Sequence, residues 1–591
     1  MVITQFWILQ ISGLIALWLV MLLPKCLPVL AQTVRSDLTT GSVVNGSSSF
    51  TITEGAVRLG DTGATLFHSF DTFSPAASAV TFDLRDSQNA VDTAAVTSIL
   101  GRVTGGAPSF IDGQLSVLRD SNTPVPSLFL INPKGVLFGE NAQLSLPGSF
   151  LASTAESLLF EGAEFSAANP GAAPLLTVST PVGLQFGSEN SAGITVRGTG
   201  HAIATSNPLF APYFPIGISS GLSVAPGESL RLIGRSIDTS GGVLSAPGGR
   251  IELGSVREGI VFLRNQGIDY SAISQFGDIR LAERSLINVS GPLAGEVQLQ
   301  GRQISLSDGS LIWSQNRGLS AAGEVSVRAT ERLFLTGTTP TLDAVSGIVT
   351  ETLGPGNAGT VDINTAQLSV EAGTMLGSRS FSAGNSGHVR IVAEQANISG
   401  YVPVVPNIFS VVGTLSSSTG AAGDVSLLLQ NLSVTEGGYL GSATLGSGRG
   451  GDITITANTV DVIGATPTSI ASSIVTSAAG VSGDAGNIVL KTRRLRLQDS
   501  GIVSTSSINV ANAGDIWVEA SEQIDISGGL PNLPESTIAS TVDFPPVSIG
   551  QVLGLSGTPR GAAGNVTVST PVLEISDSCK PCCRQCRTAH H

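Results

Sequence analysis

The chain has 591 residues but only 13% are charged, against roughly a quarter in ordinary globular proteins. That is too few charges to surround several separate compact cores, whereas 71 glycines and a hydrophobic content of 41% suit one elongated body packed with small and β-branched side chains. A net charge of −14, with no basic stripe apart from Lys491–Arg496, argues against nucleic acid as a partner.

Residues 1–31 contain an apolar run from Phe6 to Leu23, broken by Pro24 and Pro28 and followed by Val29-Leu30-Ala31, small enough for a signal peptidase. The pattern predicts a cleaved signal peptide rather than a membrane anchor. Cys26 lacks the small residues that precede a lipidated cysteine. From Gln32 to about Gly254, apolar and polar residues alternate in short runs broken by Gly, Ser, Asn and Pro, which predicts many short strands. The nearest approach to a helix is Ala94–Leu100, too short to organise a domain.

Four stretches stand out in this region: Ala64–Phe70 (ATLFHSF), Ile99–Gly106 (ILGRVTGG), Leu128–Phe138 (LFLINPKGVLF) and Gly148–Ala155 (GSFLASTA). In the third, Leu128/Leu130 and Val136/Phe138 flank Asn132-Pro133-Lys134-Gly135, reading as strand, tight turn, strand. Proline fixes the φ of the turn's second position, Gly135 tolerates its exit geometry, and Asn132 can bond its own backbone two residues on. In this order and spacing the set resembles the N-terminal secretion domain of filamentous haemagglutinin-like exoproteins, in its cyanobacterial form. The specific part covers residues 33–160, with a looser resemblance through Pro174-Leu175-Leu176, Gly183–Gly187 and Ala246–Gly254. Where the family usually has Asn this chain has Lys134, a change a turn tolerates. The resemblance implies two-partner secretion through an outer-membrane transporter, a β-helical fold, and Asn132, Pro133 and Gly135 as the secretion motif.

Beyond Gly249 the sequence repeats. Glycine, one mostly polar residue, then Val or Ile recurs at Gly249, Gly277, Gly295, Gly323, Gly359, Gly387, Gly423, Gly451, Gly486, Gly514 and Gly564. From Gly295 to Gly514 the spacings are 28, 36, 28, 36, 28, 35 and 28, so the unit is a pair of about 64 residues. Each coil offers three short strands, as in Ile453–Ile455, Thr459–Ile463 and Ser473–Thr476, whose apolar faces are buried only by stacking on the next coil. Ile453, Ile455, Val460 and Val462 should therefore lie on Ile488, Leu490, Leu495 and Leu497. The expected fold is all-β, a right-handed parallel β-helix with an N-terminal secretion-domain cap. The longer coils insert residues near Thr338–Asp343, Val402–Phe409 and Ala465–Ala471, which should project from one edge. The gap of 18 between Gly277 and Gly295 reads as a shortened coil and that of 50 between Gly514 and Gly564 as an insertion.

The residue after each motif glycine, from Gly277 on, is Asp278, Glu296, Glu324, Thr360, His388, Asp424, Asp452, Asn487, Asp515 and Asn565. Stacked, these would form one outward column. Two readings stand: a weak calcium site, or a short polar residue bonding the strand-entry turn. The acidic residues are otherwise spread thinly, unlike the clustered carboxylates of β-helical polysaccharide lyases and hydrolases. His68, beside Phe67 and Phe70, reads as structural rather than as a general base, and Ser149 is no nucleophile elbow. The tail Cys579, Cys582, Cys583 and Cys586 leaves open a disulfide tether, a zinc set, disorder or a drifted reading frame. The repeat runs to about Ile575, leaving no room for a C-terminal toxin.

The organisation expected is a signal peptide over 1–31, a secretion domain over 32–160, a β-helical stalk over 161–576 and a Cys-rich tail over 577–591. The function expected is that of a secreted or cell-surface adhesin or matrix protein. It would be a monomer, with no catalytic residues, metal or cofactor, and would contact surface glycans or other cells. The alternatives are a polysaccharide-active enzyme and a purely structural sheath component.

Overall fold

The computed structural model describes residues 33–60, 63–85, 95–119, 125–170, 181–187, 192–264, 267–479, 482–508, 510–543 and 560–576. The expected leader, Pro174–Leu176 and the cysteine tail lie outside the described residues. The described chain is a parallel β-helix. Its third strands form an eleven-stranded parallel sheet from Leu222–Ser223 to Thr537–Asp543. Its first and second strands are continuous in many coils, as in Val361–Glu371 and Ile488–Gln498, which bend across two faces.

The predicted stacking holds residue by residue. Ile453 partners Ile488, Ile455 partners Leu490, Val460 partners Leu495 and Val462 partners Leu497. All eight are buried and belong to one core that runs from Val34 to Ile526. At the N-terminal end, Thr33–Ser36 pairs antiparallel with Gly63–Ser74, and Ser42–Asn45 with Phe50–Glu54, closing the first coil.

Two readings are corrected. Val96–Val103 is a strand, not a helical turn, because Ile99 and Leu100 are held between parallel neighbours at Leu66, Phe67, Leu128 and Phe129. Gly277 does not open a coil: Ile279 pairs with Ile304 of a second strand, while Arg250 pairs directly with Glu296. The coil from Gly249 is therefore lengthened rather than followed by a short one. Its first strand, Arg250–Arg264, leaves the helix and pairs antiparallel with Gly183–Phe186, Gly267–Asp269 and Gln275–Phe276. Together with Ser157–Phe160 and Ala163–Ser166 this builds an extra sheet. A second core lies beneath it, with Leu100, Ile131, Leu151 and Ile233 facing Leu158, Phe165, Leu184 and Val261.

The motif glycines stand at the corner between the third strand of one coil and the first of the next. A Cβ on Gly387, Gly423, Gly451, Gly486 or Gly514 would overlap the carbonyl oxygen of the glycine one coil below. Close approach, not an unusual φ, excludes every other residue there. The coil-to-coil gap at this corner is then bridged by the following side chain. Asp424 N–H donates to His388 Nδ1 (3.0 Å), Asp452 N–H to Asp424 Oδ1 (2.9 Å), Asn487 N–H to Asp452 Oδ1 (2.8 Å) and Asp515 N–H to Asn487 Oδ1 (2.9 Å). Asn565 N–H continues the line to Asp515 Oδ1 (2.6 Å). The expected column stands without Asp278, and from His388 on its side chains bond the next coil rather than their own turn. Arg449, 2.6 Å from Asp452, supplies a neighbouring positive charge. A second line, two residues before the motif glycines, joins Asn357 to Asn385, Asn385 to Ala421, Asp484 to Asn512 and Asn512 to Ala562 in the same way.

The insertions recur at the corner between second and third strands. Thr338 bridges Val345, Tyr401–Val402 pairs with Val405–Phe409, and Ala465 bridges Ala471. A fourth, Gly529 to Glu535, occupies the same place within the 50-residue gap. Behind each sits a buried serine. The hydroxyls of Ser346, Ser410, Ser472 and Ser536 accept the amides of Gly309, Gly373, Gly437 and Ser500 one coil below.

Replacing Gly451 by Ala should lower stability by about 1–3 kcal/mol through overpacking, and Asp452→Ala by about 1 kcal/mol through loss of the bond to Asn487 N–H. Asp452→Asn keeps an acceptor oxygen and should be nearly neutral. Urea midpoints of the three variants check this, and an Asp452→Asn loss equal to that of Asp452→Ala would contradict it.

Candidate secretion site

The four motif stretches are four successive rungs of one sheet. Leu66 pairs with Ile99, Leu100 with Phe129, and Leu130 with Ala152. Ser69, Arg102, Ile131 and Ser153 thus follow one another along one column. Arg102 is buried and satisfied by its surroundings. Its Nε donates to Ser69 Oγ (2.8 Å), Nη1 to Ser166 O (2.7 Å) and Nη2 to Thr39 Oγ1 (3.1 Å), and its guanidinium lies 4.3 Å from the Phe165 ring centroid. Burial lowers its pKa. Burial pushes the Asp37 carboxyl up, but hydrogen bonds from Ser69, Thr39 and Thr104 outweigh it and hold the group below the usual carboxylate range. Arg102 thereby ties the N-terminal cap to the extra sheet, a role its position in ILGRVTGG did not announce.

The turn sits at the corner between Ser127–Ile131 and Val136–Phe138. Asn132 is fully buried. Its Oδ1 accepts Lys134 N–H (2.9 Å), as the turn chemistry predicts, and its Nδ2 donates to Ala107 O (3.1 Å) and Ser109 Oγ (3.0 Å) of the coil below. Asp would lack that donor. Pro133 O accepts Ala192 N–H (2.8 Å) from the coil above, and Gly135 O accepts Ser109 N–H (3.0 Å). Gly135 has φ +111°, and a Cβ there would press on Ala192. Lys134 is exposed, so the departure from the usual residue touches nothing in the turn. The three candidate residues are therefore brought together as a rivet through three coils.

His68 is buried, with Nδ1 3.0 Å from Ser42 Oγ and its ring 5.4 Å from that of Phe82. Burial pushes its pKa down to about 3, so it is neutral at physiological pH. Ser149 donates to Glu228 Oε2 (2.7 Å) and accepts Ser229 N–H (2.9 Å), a tie to a neighbouring rung. Among the described residues no group of three or more His, Cys, Asp or Glu is placed to hold a metal ion.

Residues 31–302 match the family model described as the TPS secretion domain. The chain carries the secretion domain of two-partner-secretion exoproteins of the filamentous haemagglutinin type. Its secretion domain implies export across the outer membrane and a transporter there as partner. The match begins at Ala31, next to the expected cleavage site, and ends at Arg302 inside the bent strand Glu296–Leu306. Among solved structures, the HMW1 secretion domain from Haemophilus influenzae is similar at 13% identity over 92% of this chain and 100% of that one, with a TM-score of 0.37. The filamentous hemagglutinin secretion domain is similar at 13% identity over 63% of this chain and 98% of that one, with a TM-score of 0.28. No curated protein matches.

A second buried histidine, His201, is pushed down to about 4, chiefly by burial. Both folded values lie below the ordinary imidazole value of 6.5, so their contribution to stability is present above pH 6.5 and is lost as pH falls toward 4. Each should contribute a slope of about 1.4 kcal/mol per pH unit in that window. Denaturant unfolding at pH 7, 6 and 5 should show a shallower slope for His68→Gln than for the natural chain. Equal slopes would rule out His68 as a source.

Proposed function

We propose that the transporter receives residues 31–302 unfolded, reads the Asn132-Pro133-Lys134-Gly135 segment within them, and releases a β-helix that acts outside the cell. There it serves as an adhesin or matrix protein with no enzymatic role, as a monomer, secreted or held at the cell surface. The observation that carries this reading is a TPS secretion domain joined through one unbroken core to coils whose polar residues bond the next coil. A coil that templates its successor suits a chain folding as it emerges, because each added rung buries apolar surface at once. Glycans or other cells are the proposed contacts.

Asn132→Ile with Gly135→Val should reduce export severalfold when the transporter is present, measured as protein outside against protein retained. Unchanged export would detach the turn from secretion. Binding of the purified mature chain to a panel of surface polysaccharides and to cells tests the adhesive role. Reducing-sugar release from anionic polysaccharides would overturn the non-enzymatic reading.

A further inference from the structure

Between the strands Ile194–Arg197 and Leu222–Ser223 the chain leaves the helix and lies along the outer face of the third sheet. This strap, residues 201–216, belongs to the matched secretion domain, yet its receptor lies almost wholly beyond residue 302. At its root, His201 Nε2 is 2.8 Å from Gly309 O, and Thr205 N–H donates to Asp343 O (3.0 Å). At its far end Glu351 and Arg379 form an ion pair at 3.0 Å with both side chains at 0% exposure. Arg379 Nη1 donates to Pro208 O and Ala211 O, each at 2.9 Å. Glu351 Oε1 accepts Tyr213 N–H (3.2 Å) and Trp313 Nε1–H (2.6 Å), and Gln315 Nε2 donates to Tyr213 O (2.9 Å). The Tyr213 ring is fully buried, 5.1 Å from the Arg379 guanidinium.

Strands Leu311–Asn316, Gly347–Thr352 and Met375–Ser380 are buried at every position. The coils alone cover only their inner faces, and the strap lies over the outer one. The first insertion, near Thr338–Asp343, is engaged by the strap through Asp343, Ala344 and Val345.

We propose that the strap is a latch between secretion domain and stalk, closing only after the coils through Ser380 have formed. The inference rests on the assignment of residues 31–302 as the secretion domain and not on the adhesive role. Before residue 351 is in place, the secretion domain offers the strap only Val243 and Leu286 of the apolar cluster that receives it, and bonds it at its root alone, where Arg284 Nη2 donates to His201 O (2.8 Å); the carbonyls of Pro208, Ala211 and Tyr213 wait for Gln315 and Arg379. A buried pair missing one member is strongly unfavourable, so half-closed states are disfavoured and closing is all-or-none. The strap's own ladder is only Ile203–Ala204 with Phe214–Pro215, so it can open while the coil ladders stay intact.

Hydrogen exchange on the full mature chain tests this, comparing the natural sequence with Arg379→Met and with the double variant Glu351→Leu/Arg379→Met. The double variant leaves no unpaired buried charge but still removes the donor to Pro208 and Ala211. In both, amides of 203–216 should exchange much faster while those of 325–335 and 361–371 keep their protection. In pulse-labelled refolding of the natural chain, the strap should gain protection after Met375–Ser380. Unchanged strap protection in the double variant, loss of protection in strap and coils together, or strap protection preceding that of Met375–Ser380 would each overturn the latch.

Discussion

Stacking of this chain depends on one corner, where the third strand of a coil hands over to the first strand of the next. There the backbones of successive coils approach so closely that only hydrogen fits on Cα, and the carbonyl of each glycine faces the next glycine. The approach leaves the following amide without a regular ladder partner, and the column of Asp, Asn and His side chains supplies one. From inside the coil, Thr350, Thr414, Thr476 and Thr505 donate to the carbonyls of Gly359, Gly423, Gly486 and Gly514, each at 2.6 Å. The outer column and the inner threonines thus staple a corner that would otherwise carry unpaired buried polar groups.

Once that corner is fixed, the remaining geometry follows with little freedom. Inward residues at period two must meet their counterparts one rung away, which gives the continuous aliphatic core. Outward residues are free to differ from coil to coil. The secretion domain departs from this economy: its first sheet is apolar on both faces because the extra antiparallel sheet and Arg102 cover the outer one. The Asn132 turn belongs to the same plan, spanning three coils where the stalk uses side-chain columns.

The stalk was legible in the sequence because a repeat displays the same chemistry many times. Spacing and period two alone paired Ile453 with Ile488 and Val462 with Leu497. The second asparagine line was also visible, two residues before the motif glycines at Asn357, Asn385, Asp484 and Asn512, and passed unread. Gly277 misled because Gly-Asp-Ile also suits the start of a second strand, and only pairing distinguishes the two. The strap was illegible for a different reason. His201, Tyr213, Glu351 and Arg379 stand up to 178 residues apart, occur once each, and are joined by a fold that no local pattern encodes. At the secretion turn, the Asn132 bond to Lys134 could be anticipated, whereas its bonds to Ala107 and Ser109 needed the coil below.

Side chains close the corner between coils. Residue-resolved hydrogen exchange of the mature chain tests this most directly, at the amides of Asp452, Asn487 and Asp515. Asp424 and Asp452 have side chains that are 56% and 41% exposed, so a merely solvated surface column would leave these amides in fast exchange. Amides held by the column should instead exchange as slowly as the neighbouring ladder amides of Ile453 and Ile488. Fast exchange at the column beside slow exchange in the ladder would contradict this.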